Sequence, residues 1–227
     1  MKKFYQIAVD GPAGAGKSTI AKLLARKLGI LYIDSGAMYR AVTYYLLKNG
    51  LMNKSENELK KHLKFINIFF VEKKGKQKVY LNKSDITSGI RSSIVNKNVS
   101  KVSAKKSVRE EMVKRQKTLA LNSSIIMDGR DIGTVVFKNA DLKIYLTASS
   151  YVRALRRKKD LQRINENVKI NDLVKQINDR DTYDSSRKIS PLIKSHDAIV
   201  ADTSNLSIYQ VLNKICMFLP DELMGKN

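Results

Sequence analysis

Residues Gly11-Pro12-Ala13-Gly14-Ala15-Gly16-Lys17-Ser18 form a complete glycine-rich loop of the pattern G-x-x-x-x-G-K-[ST]. The apolar run Ile7-Ala8-Val9 before it predicts a strand, and apolar periodicity from about Lys17 to Leu28 predicts a helix. In this context the loop N–H groups point at phosphate oxygens, Lys17 reaches the β and γ phosphates, and the Ser18 hydroxyl ligates Mg²⁺. The sequence therefore predicts a nucleoside triphosphate site. The residues expected to contact the triphosphate are Gly11, Pro12, Ala13, Gly14, Ala15, Gly16, Lys17, Ser18 and Thr19.

Five short apolar runs have the length and spacing of strands in a parallel sheet. They lie at about Tyr5–Val9, Leu31–Ile33, Ser124–Met127, Leu142–Leu146 and Ala198–Val200. Helical patterns separate most of these runs, which is typical of an α/β fold. We therefore expect a doubly wound five-stranded parallel sheet of the P-loop NTPase type, with ligands beyond the carboxyl ends of the strands.

The chain of 227 residues is long enough for one such domain with an inserted segment. We expect a core of residues 1–48 and 122–227 and an insertion of about 49–121. The insertion is expected to bind the acceptor, which is the molecule that receives a phosphoryl group from the triphosphate. Within the insertion the sequence predicts a capping box, a hairpin and a long helix. The capping box is Ser55–Glu58. The hairpin pairs Phe65–Val71 with Gln77–Asn82 across Lys73-Lys74-Gly75-Lys76, and the long helix spans about Lys105–Leu121.

The chain is strongly basic, with 43 Lys and Arg against 21 Asp and Glu, a formal net charge of +22. Such a charge suits a polyanionic ligand, but it does not choose between nucleic acid, anionic lipid and nucleotide phosphates. Much of the excess is scattered lysine, which is equally consistent with a solvated surface. Asp10-Gly11-Pro12 ends the first apolar run too early for a membrane span, so we expect a cytoplasmic protein with no membrane partner. We also expect a monomer.

Arginines sit beside predicted turns in three segments, Asp34–Arg40, Asp128–Asp131 and Arg180–Arg187. Guanidinium groups bind phosphate bidentately, so the pattern suggests an acceptor that carries its own phosphate. Such an acceptor is already anionic at pH 7, because its second pKa is near 6, and it needs no general base. For each arginine alone, a surface or structural ion pair is the alternative.

A basic stripe runs along Tyr151–Arg163, with arginines at helical spacing. It could be a lid of about 151–170 that closes over the triphosphate and brings Arg153 and Arg157 to the transferring phosphoryl group. A solvated helix face is the alternative.

Taken together, the segments Asp10–Thr19, Asp34–Arg40, Asp128–Phe137 and Arg180–Arg187 resemble the bacterial cytidylate kinase family across essentially the whole chain. The resemblance implies ATP-dependent phosphorylation of CMP and dCMP, with ATP as co-substrate and Mg²⁺ as cofactor. It also implies a short arginine-bearing lid and a long insertion over the acceptor nucleotide.

The resemblance also implies a role for individual residues. Ser100, Arg109 and Asp131 would face the cytosine, and a carboxylate suits the exocyclic amine of that base. The expected sugar contacts are Ser35, Arg180 and Asp184. The expected acceptor-phosphate contacts are Arg40, Arg130 and Arg187. The expected catalytic residues are Lys17, Arg130, Arg153 and Arg157, and the expected metal ligand is Ser18.

Two other functions stay open at this point. One is a kinase of the same fold that acts on a different small acceptor. The other is an RNA-binding protein that uses the +22 charge and is switched by nucleotide. Because the sequence shows no aromatic platform for bases, we expect no specific nucleic acid partner.

Overall fold

The computed structural model describes residues 4–73, 76–163 and 168–224. The chain divides into two compact units: Met1–Tyr32 with Ala120–Asn227, called the core unit, and Ile33–Leu119, called the inserted unit. The inserted unit contains nearly all of the stretch of about 49–121 that the sequence sets apart, and it begins sixteen residues earlier, at the end of the second strand. Within the described ranges, no helix has both the length and the apolarity to cross a membrane.

Strands and helices alternate through most of the described chain. The strands are β1 (Gln6–Asp10), β2 (Leu31–Asp34), β3 (Ile68–Lys73), β4 (Lys76–Leu81), β5 (Ser84–Asp85), β6 (Ile125–Asp128), β7 (Leu142–Thr147) and β8 (Ile199–Asp202). The helices are α1 (Lys17–Leu28), α2 (Ser35–Lys48), α3 (Glu56–Leu63), α4 (Ser93–Ala104), α5 (Lys106–Leu119), α6 (Ser150–Gln162), α7 (Ile170–Ser185) and α8 (Ile208–Cys216).

The main sheet has the strand order β2-β6-β1-β7-β8. β1 pairs in parallel with both β6 and β7, and β7 pairs in parallel with β8. The five predicted strands and the doubly wound α/β fold are therefore confirmed. Parallel strands bring their carboxyl ends to one edge, and the register sets Val9 beside Asp128 and Asp10 beside Tyr145 there.

Helix α1 packs on this sheet through one apolar stripe, and its predicted bounds are confirmed. Ile20 and Leu24 are buried in one cluster with Val9 of β1 and Ile215 of α8. Each such side chain contributes about 1.5–3 kcal/mol relative to an exposed one. The helix ends at Gly29, which has a φ of +64° and donates its N–H to the Ala25 carbonyl. The stripe thus fixes the helix whose first turn forms part of the glycine-rich loop.

The inserted unit combines helices with a small antiparallel sheet of order β3-β4-β5. The predicted hairpin strands pair as expected, and its turn residues Lys74-Gly75 lie outside the described residues. The predicted capping box at Ser55 and Glu58 is present at the start of α3. At the other end of α3, Arg115 of α5 donates to the carbonyls of Leu63 and Ile66, at 2.8 and 2.6 Å.

Asp10, the last residue of β1, ties the chain after β6 to the centre of the sheet. Its buried carboxylate accepts the backbone N–H groups of Ile132 and Gly133, at 2.8 and 2.7 Å. These residues begin a π-helical turn, Ile132–Val136. Burial raises the pKa of Asp10 from 3.8 to about 6, and the two N–H donors oppose that rise.

The Asp10→Asn variant should gain roughly 2 kcal/mol of stability relative to the unsubstituted protein between pH 4.5 and pH 7.5, because the raised pKa makes ionisation of Asp10 oppose folding over this range and asparagine does not ionise. Urea unfolding at the two pH values measures the change. The matched control is Asp141→Asn, since Asp141 accepts the N–H of Gln6 at 2.8 Å and asparagine can keep that bond. Equal changes with pH in the two variants would contradict the role given to Asp10.

Candidate active site

The glycine-rich loop between β1 and α1 needs glycine for its shape and for its close neighbours. Gly11, Gly14 and Gly16 have φ values of +141°, +79° and +89°, which residues with a Cβ rarely adopt. A Cβ on Gly11 would also lie 1.9 Å from the carbonyl oxygen of Leu146 in β7. The loop therefore runs against the end of the sheet and leads into the N-terminus of α1, a geometry that favours an anion.

Lys17 is buried at the start of α1, and its ammonium group donates to the Pro12 carbonyl at 2.7 Å. Burial is the main cause that lowers the pKa of Lys17 to about 7, and the guanidinium groups of Arg130 and Arg180 contribute to the same shift. Asp128 and Asp10 oppose this shift. The lysine is thus held inside the loop in a site that already carries other positive charge.

Ser18 and Asp128 bring two side-chain oxygens together beside the loop. The Ser18 hydroxyl donates to one oxygen of the buried Asp128 carboxylate at 2.8 Å, and the Tyr32 hydroxyl donates to the other at 2.8 Å. Hydroxyl and carboxylate oxygens are the ligands that Mg²⁺ prefers, so these two residues fit a magnesium ion. Sequence reasoning selected Ser18 alone. The position of Asp128 at the carboxyl end of β6 is the signal that could have added it.

Arg153 of α6 holds the outside of the loop. Its guanidinium donates to the Ala13 carbonyl at 3.2 Å and to the Asp181 carboxylate of α7, and its Nε donates to the Ala148 carbonyl at 2.9 Å. The side chain is only 7% exposed. Arg153 therefore contacts the loop and has a carboxylate partner on the neighbouring helix.

Arg156, one helical turn further, contacts the loop in the same way and was not selected from the sequence. It donates to the Gly14 carbonyl at 3.3 Å and to the carbonyl of Thr203 at 2.7 Å. The Thr203 hydroxyl in turn donates to the Ala15 carbonyl at 3.1 Å. The basic stripe marked this helix, but only the fold shows which of its arginines face the loop.

Arg157 lies on the exposed side of α6, and it makes no hydrogen bond within the described ranges. The predicted lid of about 151–170 corresponds to α6, the start of α7 and the connection between them. Residues 164–167 of that connection lie outside the described residues.

Three arginines surround the carboxylate of Asp184 near the end of α7. Arg130, Arg187 and Arg180 approach its oxygens at 3.1, 3.8 and 4.0 Å. The Asp184 and Arg187 side chains are only 5% and 4% exposed. Three guanidinium groups around one carboxylate leave an excess of positive charge in a partly buried place, which favours an added anion.

Asp131, the predicted cytosine contact in the core unit, lies directly before the π-helical turn. Its side chain is buried, with the residue 3% exposed, and its backbone carbonyl accepts the N–H of Val135 at 2.9 Å. Its charge raises the pKa of Asp10, which places the two carboxylates within electrostatic reach.

The remaining predicted residues lie in the inserted unit. Arg40 of α2 pairs with Asp34 at 2.8 Å, and Ser35, the first residue of α2, is buried. Arg109 of α5 is buried, donates to the Ser103 carbonyl at 3.1 Å and lies 5.2 Å from the centre of the Tyr39 ring. Ser100 of α4 is half-buried.

Comparison with known proteins points to one family. The model of the cytidylate kinase family matches residues 7–220. A cytidylate kinase of Ligilactobacillus salivarius is 48% identical over 215 residues, which are 95% of this chain and 96% of that protein. One of Alkaliphilus oremlandii is 48% identical over 217 residues, or 96% and 98% of the two chains.

Among solved structures, the chain resembles an uncharacterized protein from Eubacterium ventriosum. The TM-score is 0.51 at 12% identity, over 95% of this chain and 98% of that one. That likeness concerns the fold alone. The family match, the two relatives and the glycine-rich loop with its arginines lead to one conclusion: the chain belongs to the cytidylate kinase family.

Proposed function

We propose that the chain transfers the γ-phosphoryl group of ATP to CMP and dCMP, giving ADP and CDP or dCDP. The observation that carries this proposal is the cluster of Arg130, Arg180 and Arg187 around Asp184. Arg130 and Arg180 of this cluster also help to lower the pKa of Lys17 in the loop. One group of cations is thus available to a triphosphate and to a phosphate-bearing acceptor. We further propose that the enzyme acts as a monomer in the cytoplasm.

The chemistry asks mainly for positioning and charge neutralisation. The loop N–H groups and Lys17 would hold the triphosphate, and Arg130 would neutralise charge on the transferring group. The acceptor oxygen belongs to a phosphate that is already ionised, so these residues need not remove a proton from it. Ser18 and Asp128 would hold Mg²⁺, which supplies further positive charge when bound.

Arg153 and Arg157 would add to this neutralisation in different ways. Arg153 already touches the loop at the Ala13 carbonyl, so a small change of partner would bring it to the phosphates. Arg157 would come from the exposed side of α6. Such late contacts are typical of lids that exclude water from a phosphoryl group.

We propose three groups of acceptor contacts from the family resemblance. Asp131 would accept from the exocyclic amine of cytosine, and Ser100 and Arg109 would donate to its ring acceptors. Ser35, Arg180 and Asp184 would contact the sugar. Arg40, Arg130 and Arg187 would bind the acceptor phosphate, for which their guanidinium groups are suited.

The experiment that tests the reaction compares ADP formation from MgATP with CMP, dCMP, UMP, AMP and GMP in parallel. We expect strong preference for CMP and dCMP. Turnover of a different monophosphate would keep the phosphoryl transfer and overturn the choice of acceptor. Inactivity with all five would overturn the proposed reaction itself.

The Asp131→Asn variant should erode the preference for CMP over UMP by roughly 1–3 kcal/mol in kcat/KM, because its amide can also donate to the uracil oxygen. The measurement is the ratio of kcat/KM for the two acceptors. The matched control, Asp141→Asn, changes a carboxylate bonded to the Gln6 N–H and should leave the ratio unaltered. An unchanged ratio in Asp131→Asn would reject the base-reading role.

Binding of MgATP should take up a proton at Lys17. Its pKa of about 7 in the free site means that it is mostly neutral at pH 8, and the added phosphate charge raises that pKa. We expect a proton uptake at pH 8 that decreases as the pH is lowered toward 6. Calorimetric titration in buffers of different ionisation enthalpy gives the number.

The control for this titration is Lys17→Arg, whose guanidinium stays charged throughout and should bind without proton uptake. A proton number that is the same at pH 6 and pH 8 in the unsubstituted protein would show that Lys17 is already charged in the free site.

A further inference from the structure

The small sheet of the inserted unit carries an aromatic and basic outer face that the kinase reaction does not use. In the antiparallel register Phe69 is opposite Tyr80 and Val71 is opposite Lys78. Strand alternation puts Lys73 on the same face. These five residues, Phe69, Val71, Lys73, Lys78 and Tyr80, are called the hairpin face.

The opposite face of the same sheet is turned into the unit. Val79 and Leu81 of β4 alternate with the hairpin-face residues and are only 4% and 8% exposed. Phe69 and Val71 are each 39% exposed. The two faces therefore differ as a core side and a solvent side do, and the aromatic residues of the hairpin face are not needed to fill the core.

Phe69 and Tyr80 are stacked on each other. Their ring centroids are 5.1 Å apart and the ring planes differ by 7°. Because β3 is an edge strand in the order β3-β4-β5, no other described strand of this sheet covers the far side of the Phe69 ring. A flat ring placed on that side would extend the stack by one member.

The surroundings of the stack are basic. Residues 64–85 contain six lysines against Glu72 and Asp85. Lys78 pairs with Asp85 at 2.7 Å, whereas within the described ranges the exposed Lys64, Lys73 and Lys83 have no carboxylate partner. This segment therefore offers lysines that an anionic chain bound at the exposed ring can contact, and the strand register places Lys73 on the hairpin face itself.

We propose that the hairpin face binds single-stranded nucleic acid without sequence preference, stacking a base on Phe69 while the surrounding lysines contact its phosphates. Sheet faces with aromatic rings and nearby cations bind unpaired bases in this way, because every base has a flat face to stack. A duplex hides those faces. The sequence does not reveal this platform, because only the strand register brings Phe69 and Tyr80 together.

The test measures binding of a fluorescent oligouridylate of about 12 nucleotides by anisotropy, at about 0.15 M KCl. Excess CMP and MgADP are present so that the nucleotide site does not contribute. We expect Phe69→Leu, which keeps an apolar side chain but loses the ring, to weaken binding about tenfold or more. Phe69→Trp should retain it. The matched control, Tyr209→Ala, removes an aromatic ring that is 72% exposed on α8 and should change binding by less than about twofold.

A second pair of variants tests the lysines, and each of these double variants removes two positive charges. Lys73→Ala with Lys83→Ala should weaken binding and flatten its salt dependence more than Lys138→Ala with Lys214→Ala does. Thermal unfolding and CMP phosphorylation should stay unchanged in Phe69→Leu. Equal RNA affinity in Phe69→Leu and the unsubstituted protein would overturn the proposal. So would a duplex that binds as well as the single strand, or a Phe69-dependent affinity confined to vesicles of phosphatidylserine.

Discussion

Like charges must be kept close together at the carboxyl end of the sheet, and much of the site's structure serves that constraint. Lys17 is buried there, and Arg130 and Arg180 are near enough to contribute to its low pKa of about 7. Bringing such groups together out of water is unfavourable. The favourable free energy of folding offsets that cost, so the cations are already in position when phosphates bind. Cations that are held in place in advance stabilise developing charge most effectively.

Carboxylates hold the cations together without neutralising all of their positive charge. Asp184 lies among three arginines, Asp181 pairs with Arg153, and Asp128 accepts from Ser18. Each carboxylate fixes the direction of its donors, and the number of cations around Asp184 still exceeds the negative charge. The strong positive charge of the whole chain is a different matter, because exposed lysines in water interact weakly with one another. What matters at the site is where a few arginines are held.

The sequence predicts those parts of the structure whose information is local. The loop, the five strands and the bounds of α1 follow from glycine spacing, apolar runs and one apolar stripe, each within about a dozen residues. The hairpin strands and the capping box at Ser55 are local in the same sense. These features are set by backbone conformation and by which face of an element is buried.

Contacts between distant segments could not be obtained in that way. Arg130 meets Asp184 across 54 positions and Arg156 meets Thr203 across 47. The predicted turn after β6 singles out Arg130 but not its partner Asp184. Nothing near Arg156 in the sequence distinguishes it from Arg157, which belongs to the same stripe but is exposed. The contact of Arg153 with Ala13 also gives the loop a property of its own. The guanidinium polarises the peptide group that joins residues 13 and 14, so that its N–H becomes a stronger donor. Part of the arginine's charge can thus act on a bound phosphate through a peptide bond, even while the side chain keeps its contact with the loop.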